Sequence, residues 1–177
     1  MTELKEIPEE VRWRLAAEFA ARLPAIYEAA FRPLVGEKYD EIEQEVWMEL
    51  SRTAVEIARY LSLPVGNAKQ LAGTMRIVLM ILFGPGFSGE ALEVSSDRSV
   101  IIMKRCPLIE HNAGVGLPVN PAFRKCMAFT LTAVPLLNKN YSARFVRTMC
   151  SGDRQCEIKI AAAQEPQAEA KKIAKAS

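Results

Sequence analysis

Apolar residues recur three and four positions apart through the first half of the chain, and the second half switches to shorter, strand-like runs. Pro8 followed by Glu9 and Glu10 predicts a helix start, because proline suits the first turn and acids there complement the helix dipole. Val11, Leu15, Phe19 and Leu23 continue that helix. Pro24 predicts a second, short helix through Ile26, Tyr27 and Phe31, punctuated by Pro33 and Gly36. A long helix from about Glu37 carries Ile42, Val46, Leu50, Ala54, Ile57 and Leu61 on one stripe, and Pro64 and Gly66 end it. Asn67 predicts the cap of a further helix reaching Phe83.

The segment Gly84-Pro-Gly-Phe-Ser-Gly89 breaks the pattern. Residues 92–95 and 99–105 read as two strands joined by a turn at 96–98. Asn120-Pro121 predicts a capped helix carrying Phe123, Cys126, Met127 and Leu131 and stopping before Pro135. Residues 141–149 and 156–162 read as strands flanking a cysteine turn. Residues 163–177 form an Ala/Lys/Glu/Gln tail with little to bury. The expected architecture is one α+β domain over residues 1–162. Its helical part, 1–83, packs on a small antiparallel sheet within 90–162, in β-β-α-β-β order, and a flexible tail follows.

With half its residues hydrophobic and a quarter charged, the 177-residue chain has the makeup of a soluble globular domain. The net charge of +2 is distributed unevenly: residues 1–62 hold 8 basic and 13 acidic side chains, residues 63–177 hold 15 and 8. A basic half attracts anions. The pairs Lys104-Arg105 and Arg124-Lys125 are separated and lack interleaved aromatics, so nucleic acid is not an expected partner. The run Ile77-Val-Leu-Met-Ile-Leu-Phe83 falls far short of the roughly 20 residues that cross a bilayer, and no membrane insertion is expected. Residues 1–8 are acidic and polar, unlike a secretory signal, which makes a cytoplasmic location the expectation.

All four cysteines, Cys106, Cys126, Cys150 and Cys156, lie in the second half, and the last pair closes the turn Cys150-Ser-Gly-Asp-Arg-Gln-Cys156. Thiolates converging from a strand, a helix and a hairpin suit a tetrahedral zinc ion, whose charge holds them deprotonated at neutral pH. The paired CxxC knuckles of a zinc ribbon are absent. Spacing alone leaves open a metal site, buried free thiols acting as small hydrophobes, and a disulfide or redox pair; an iron–sulfur cluster is the alternative metal reading. Asp153 and Gly152 read as turn-formers.

Here the sequence resembles two related groups. Ile81-Leu-Phe-Gly84, then a Glu/Val strand, then Val100-Ile-Ile-Met-Lys-Arg-Cys-Pro107, resembles the start of the β region in vinyl-4-reductase-type ligand-binding domains. The ending Val146-Arg-Thr-Met-Cys-Ser-Gly-Asp-Arg-Gln-Cys-Glu-Ile-Lys-Ile160 is similar to that group's closing cysteine hairpin, and also to the L-2-amino-thiazoline-4-carboxylate hydrolase-like family. The resemblance covers about residues 77–162. It implies zinc held by Cys126, Cys150 and Cys156, with Cys106 near the place of a carboxylate ligand. It also implies a cytoplasmic small-molecule-binding or sensing domain, with a metal-dependent hydrolase of a small cyclic amide as the alternative. The hydrolase-like family carries an aspartate shortly after its mid-helix cysteine, whereas Met127-Ala128-Phe129 follows Cys126 here; whether the chain is an enzyme stays open.

His111, the one histidine, with Glu110 beside it, is the remaining catalytic candidate, expected on a loop near the metal as a fourth ligand in place of Cys106 or as a general base. No nucleophile elbow, phosphate loop or dinucleotide fingerprint is present. An apolar or amphipathic ligand pocket is expected between the helices and the sheet, lined by Met75, Phe83, Met103, Phe129 and Phe145, with Arg147 at its mouth. A homodimer is a further expectation. A large exposed apolar patch would instead point to an assembly subunit.

Overall fold

Residues 3–95 and 97–163 are described by the structure, a computed structural model; the tail expected at 163–177 lies, but for Ala163, outside them. Helix α1 runs from Glu9 to Val35 without interruption at Pro24 or Pro33. Each proline removes one N–H, and the small buried stripe Ala17, Ala21, Ala25 packs the helix on its neighbours, so tertiary packing overrides the local stop signal. Two helices were expected where one stands.

The long helix expected from Glu37 is instead divided at Ser51 into α2 (Lys38–Leu50) and α3 (Arg52–Tyr60). The fully buried Ser51 donates its Oγ to the Met48 carbonyl at 2.5 Å. Such back-bonding competes with the ladder and bends helices. Asn67 caps α4 (Ala68–Phe83) as predicted, its Oδ1 accepting from the Gln70 N–H at 2.9 Å. Gly84 ends α4 at φ +77°, ψ −173°, against Ala17 of α1.

Strands β1 (Ser88–Ser95), β2 (Arg98–Arg105), β3 (Tyr141–Arg147) and β4 (Cys156–Ala162) form one antiparallel sheet in the order β1-β2-β4-β3. The second half departs from the expected β-β-α-β-β order by one helix. Residues 107–114 form α5 (Pro107–Gly114), which precedes α6 (Asn120–Leu137), and α6 runs past Pro135. Eight residues are too few for periodicity to declare α5, although Pro107 at its first position is a legible start.

One sheet face packs on α4 and α6. Ile101, Met103, Cys156, Ile158 and Ile160 alternate inward and are buried, and they join Leu71, Met75, Leu79 and Phe129 in a single core. Ile101 pairs with Ile158 across β2 and β4, and neither is accessible. Burying side chains of that size contributes about 1.5–3 kcal/mol each. Lys104, Arg144 and Ser142 point to the opposite, helix-free face.

Candidate metal centre and binding surfaces

Four separate elements bring the cysteines into one neighbourhood. Cys106 follows β2 at the N-cap position of α5, Cys126 lies on α6, Cys150 sits in a 3₁₀ turn (Met149–Ser151), and Cys156 begins β4 opposite Met103. Burial pushes the Cys126 thiol well up, with Cys106 and Cys156 raising it further. Burial likewise pushes Cys150 up to about 12, again with Cys106 and Cys156 adding to it. Each thiolate would thus penalise the next, a repulsion a dication relieves.

Backbone amides already address two of the sulfurs. Met149 N–H donates to Cys156 Sγ at 3.2 Å, and the Ile109 and Leu108 amides at the start of α5 favour the thiolate of Cys106. Asp153 Oδ2 accepts the Thr148 N–H at 2.8 Å, and Gly152 takes φ +97°, so both form the turn as expected. Among the described residues no three Cys, His, Asp or Glu side chains stand at ligating spacing. Three of the thiols are buried and Cys106 partly so, two of the sulfurs have N–H support, and thiolates are the donor type zinc prefers; Cys106, Cys126, Cys150 and Cys156 would hold it, and the ion would supply a structural cross-link between sheet and α6.

His111 lies on α5, not on a loop. Burial lowers its pKa, and Arg22 of α1 lowers it further, against Glu110 and Glu18. Its charged neighbours are therefore Arg22 and Glu18 of α1 together with Glu110, which is exposed and pairs with Arg105 at 3.4 Å. The six expected pocket residues do not surround one cavity. Met75, Met103 and Phe129 are packed in the core, Phe145 stacks edge-on against Phe123 at 5.2 Å, and Arg147 is exposed beside Glu157. Unbranched methionines here fill the space between helices and sheet rather than leaving it open.

A buried ionic network was not anticipated from the sequence. Lys125 on α6 pairs with Glu28 of α1 at 2.5 Å, lies 3.4 Å from Glu43 of α2, and donates to Asn112 of α5 at 3.3 Å. Arg32 bridges Glu28 and Asp40, which Arg124 also reaches, each at 2.7 Å. Tyr39 donates to Glu43 Oε1 at 3.2 Å, while Glu43 Oε2 is buried without a partner. The legible signal was position: Glu28 continues the stripe Ala17, Ala21, Ala25; Glu43 sits between Tyr39 and Trp47; Lys125 adjoins Ala122 and Phe129. Charges on buried stripes need partners from other elements.

An open apolar surface lies on the α1–α2 hairpin. A groove of about 390 Å³ runs between Leu23, Tyr27 and Phe31 of α1 and Ile42, Val46 and Leu50 of α2. It continues past Trp47 towards Phe83 and Phe129, two of the expected pocket residues. Beside it, Leu15, Phe19, Ile26 and Leu34 project from α1, between 46% and 79% exposed. No helix among the described residues is long and apolar enough to cross a membrane.

No family model matches the chain, and no curated protein is similar to it at a significant level. Its fold is similar to that of trafficking protein particle complex subunit 3 from Naegleria fowleri, in a crystal structure covalently bound to palmitic acid. The TM-score is 0.51 at 16% identity, over 90% of this chain and 100% of that one. The likeness is one of fold.

Proposed function

We propose that this chain is a binding module that works as a subunit of an assembly, docking through its α1–α2 hairpin on a second copy of itself. The exposed apolar hairpin carries the reading. Its projecting side chains together offer an area on the order of the ~800 Å² that each partner of a standard interface buries. The ridge Leu15–Phe19–Ile26 stands beside the groove of Tyr27, Phe31 and Val46 on one face. A two-fold axis would seat each ridge in the partner's groove, the self-complementarity that a homodimer requires. The fold neighbour, a subunit of a multi-protein particle, supports an assembly role. A zinc ion on the four thiols would staple the sheet to α6 in this reading.

Light scattering at micromolar concentration tests it: the expected mass is twice that of the chain. Phe19→Glu with Val46→Glu should give a folded monomer with unchanged far-ultraviolet circular dichroism. A monomeric parent, or a dimeric double variant, overturns the reading.

The groove itself favours a second reading, an amphipathic small-molecule ligand. Its volume falls in the range of ligand sites, and the fold neighbour is covalently bound to palmitic acid. No cysteine lines this groove, so an acyl chain would be held by apolar contact alone. Titrating palmitate while following the fluorescence of Trp47 in a Trp13→Phe background distinguishes it: saturation at one ligand per chain is expected, and an unchanged spectrum overturns it.

A further inference from the structure

The outer face of the sheet carries an independent feature. Arg144 of β3 stands directly opposite Lys159 of β4, on the side away from the helices. Like charges in that relation repel and destabilise the strand pair. Two other cations on the face are compensated: Lys104 pairs with Glu90 at 2.8 Å, and Arg147 approaches Glu157 at 3.7 Å. Neither Arg144 nor Lys159 has an ion-pair or hydrogen-bond partner among the described residues.

The surroundings are shaped as well as charged. Ser142 is opposite Ala161 in the same strand pair, and Ala162 and Ala163 follow. These small side chains leave a depression of about 500 Å³ walled by Arg144 and Lys159. Arg98 of β2 stands opposite Ala161 on its other side, a third cation on the neighbouring strand.

We propose that this depression binds a phosphate group, either of a soluble phosphorylated molecule or of a phospholipid head group. A dianion matches two uncompensated charges better than a single carboxylate does. The guanidinium fork of Arg144 and the ammonium of Lys159 address different oxygens of one tetrahedral group, with the Ser142 hydroxyl as a further donor.

Two probes test the site on the full chain. Inorganic phosphate is titrated by calorimetry at low and moderate salt, and vesicles of phosphatidic acid or of phosphatidylcholine are used in sedimentation. Saturable, salt-sensitive binding of phosphate or of phosphatidic acid vesicles is expected, reduced at least about tenfold in Arg144→Ala and in Lys159→Ala and unchanged in Lys104→Ala. Binding of free phosphate without vesicle binding assigns a soluble ligand, and vesicle binding confined to phosphatidic acid assigns a lipid head group. The two alanine variants should also melt no lower than the parent in phosphate-free buffer, since each removes a like-charge contact. Absence of binding by both probes, or equal binding by all three variants, overturns the proposal.

Discussion

Lys125 Nζ and Glu28 Oε2 lie 2.5 Å apart, fully buried, although 97 positions separate the two residues. This pair ties α6 to α1, and Glu43, Asn112 and Arg32 tie the same charges to α2, to α5 and within α1. The attraction across it is offset by the desolvation of both ions, but removing one partner leaves the other's desolvation uncompensated.

Lys125→Met is therefore expected to destabilise the chain by about 3 kcal/mol, the lower end for a broken buried pair because Arg32 still neutralises Glu28. Glu28→Met/Lys125→Met should be less damaged than the sum of the single variants, with a coupling of about 1–3 kcal/mol. Urea denaturation of the four proteins gives the cycle; additive losses contradict it.

Glu43 predicts a pH dependence. Burial raises its carboxyl pKa, countered by Lys125 and helped by the Glu28 charge. A folded-state pKa above the unfolded value means that the folded chain binds more protons between the two. Stability contributed by this group is then highest at or below the ordinary carboxylate range and falls as pH rises through the raised value. Glu43→Gln lacks the titration, so the stability of the parent relative to this variant should decline from about pH 4.3 upward and then level off. Parallel urea midpoints across pH 4.5–8 would contradict it.

The thiol cluster predicts about one zinc per chain. Because burial raises all four thiols, and neighbouring cysteines add to it at Cys126, Cys150 and Cys156, the metal-free protein should hold them protonated at neutral pH and react slowly with disulfide reagents. Cys150→Ser or Cys156→Ser should lose the metal and several kcal/mol of stability, against structural zinc binding energies on the order of 10 kcal/mol. Elemental analysis with thermal melts decides; a metal-free parent, or unchanged melting in both variants, is the contrary result.

Gly84→Ala should cost about 2–3 kcal/mol. The backbone at φ +77°, ψ −173° belongs to a region nearly reserved for glycine, and an added Cβ would stand 2.9 Å from that of Ala17. Gly114→Ala, which meets no atom within 4 Å, should be close to neutral and serves as the control in the same melts.

The sequence by itself determined the features that depend on neighbours along the chain. Asn67 caps α4 because its side chain needs only the amide three residues on. Alternation in 99–105 and 156–162 placed Ile101 and Ile158 on one sheet face, and the Asp153–Gly152 turn set Cys150 and Cys156 close together. The helical first half and antiparallel second half, and so the α+β class, follow from the two periodicities. Only the tertiary structure decided the rest. Pro24 and Pro33 remain inside α1 because its alanine stripe packs on other helices, a gain that local proline statistics omit. Met75 and Met103 are buried in the core where a ligand pocket was expected, and an open groove falls between α1 and α2, because cavities depend on how faces meet rather than on which residues are apolar. Glu28, Glu43 and Lys125 each sit at helical spacing among apolar residues, yet none was anticipated from the sequence as a buried charge. Their pairing became definite only where three helices crossed, since a buried charge is stabilised by whatever the fold brings to it and the chain carries no local record of that partner.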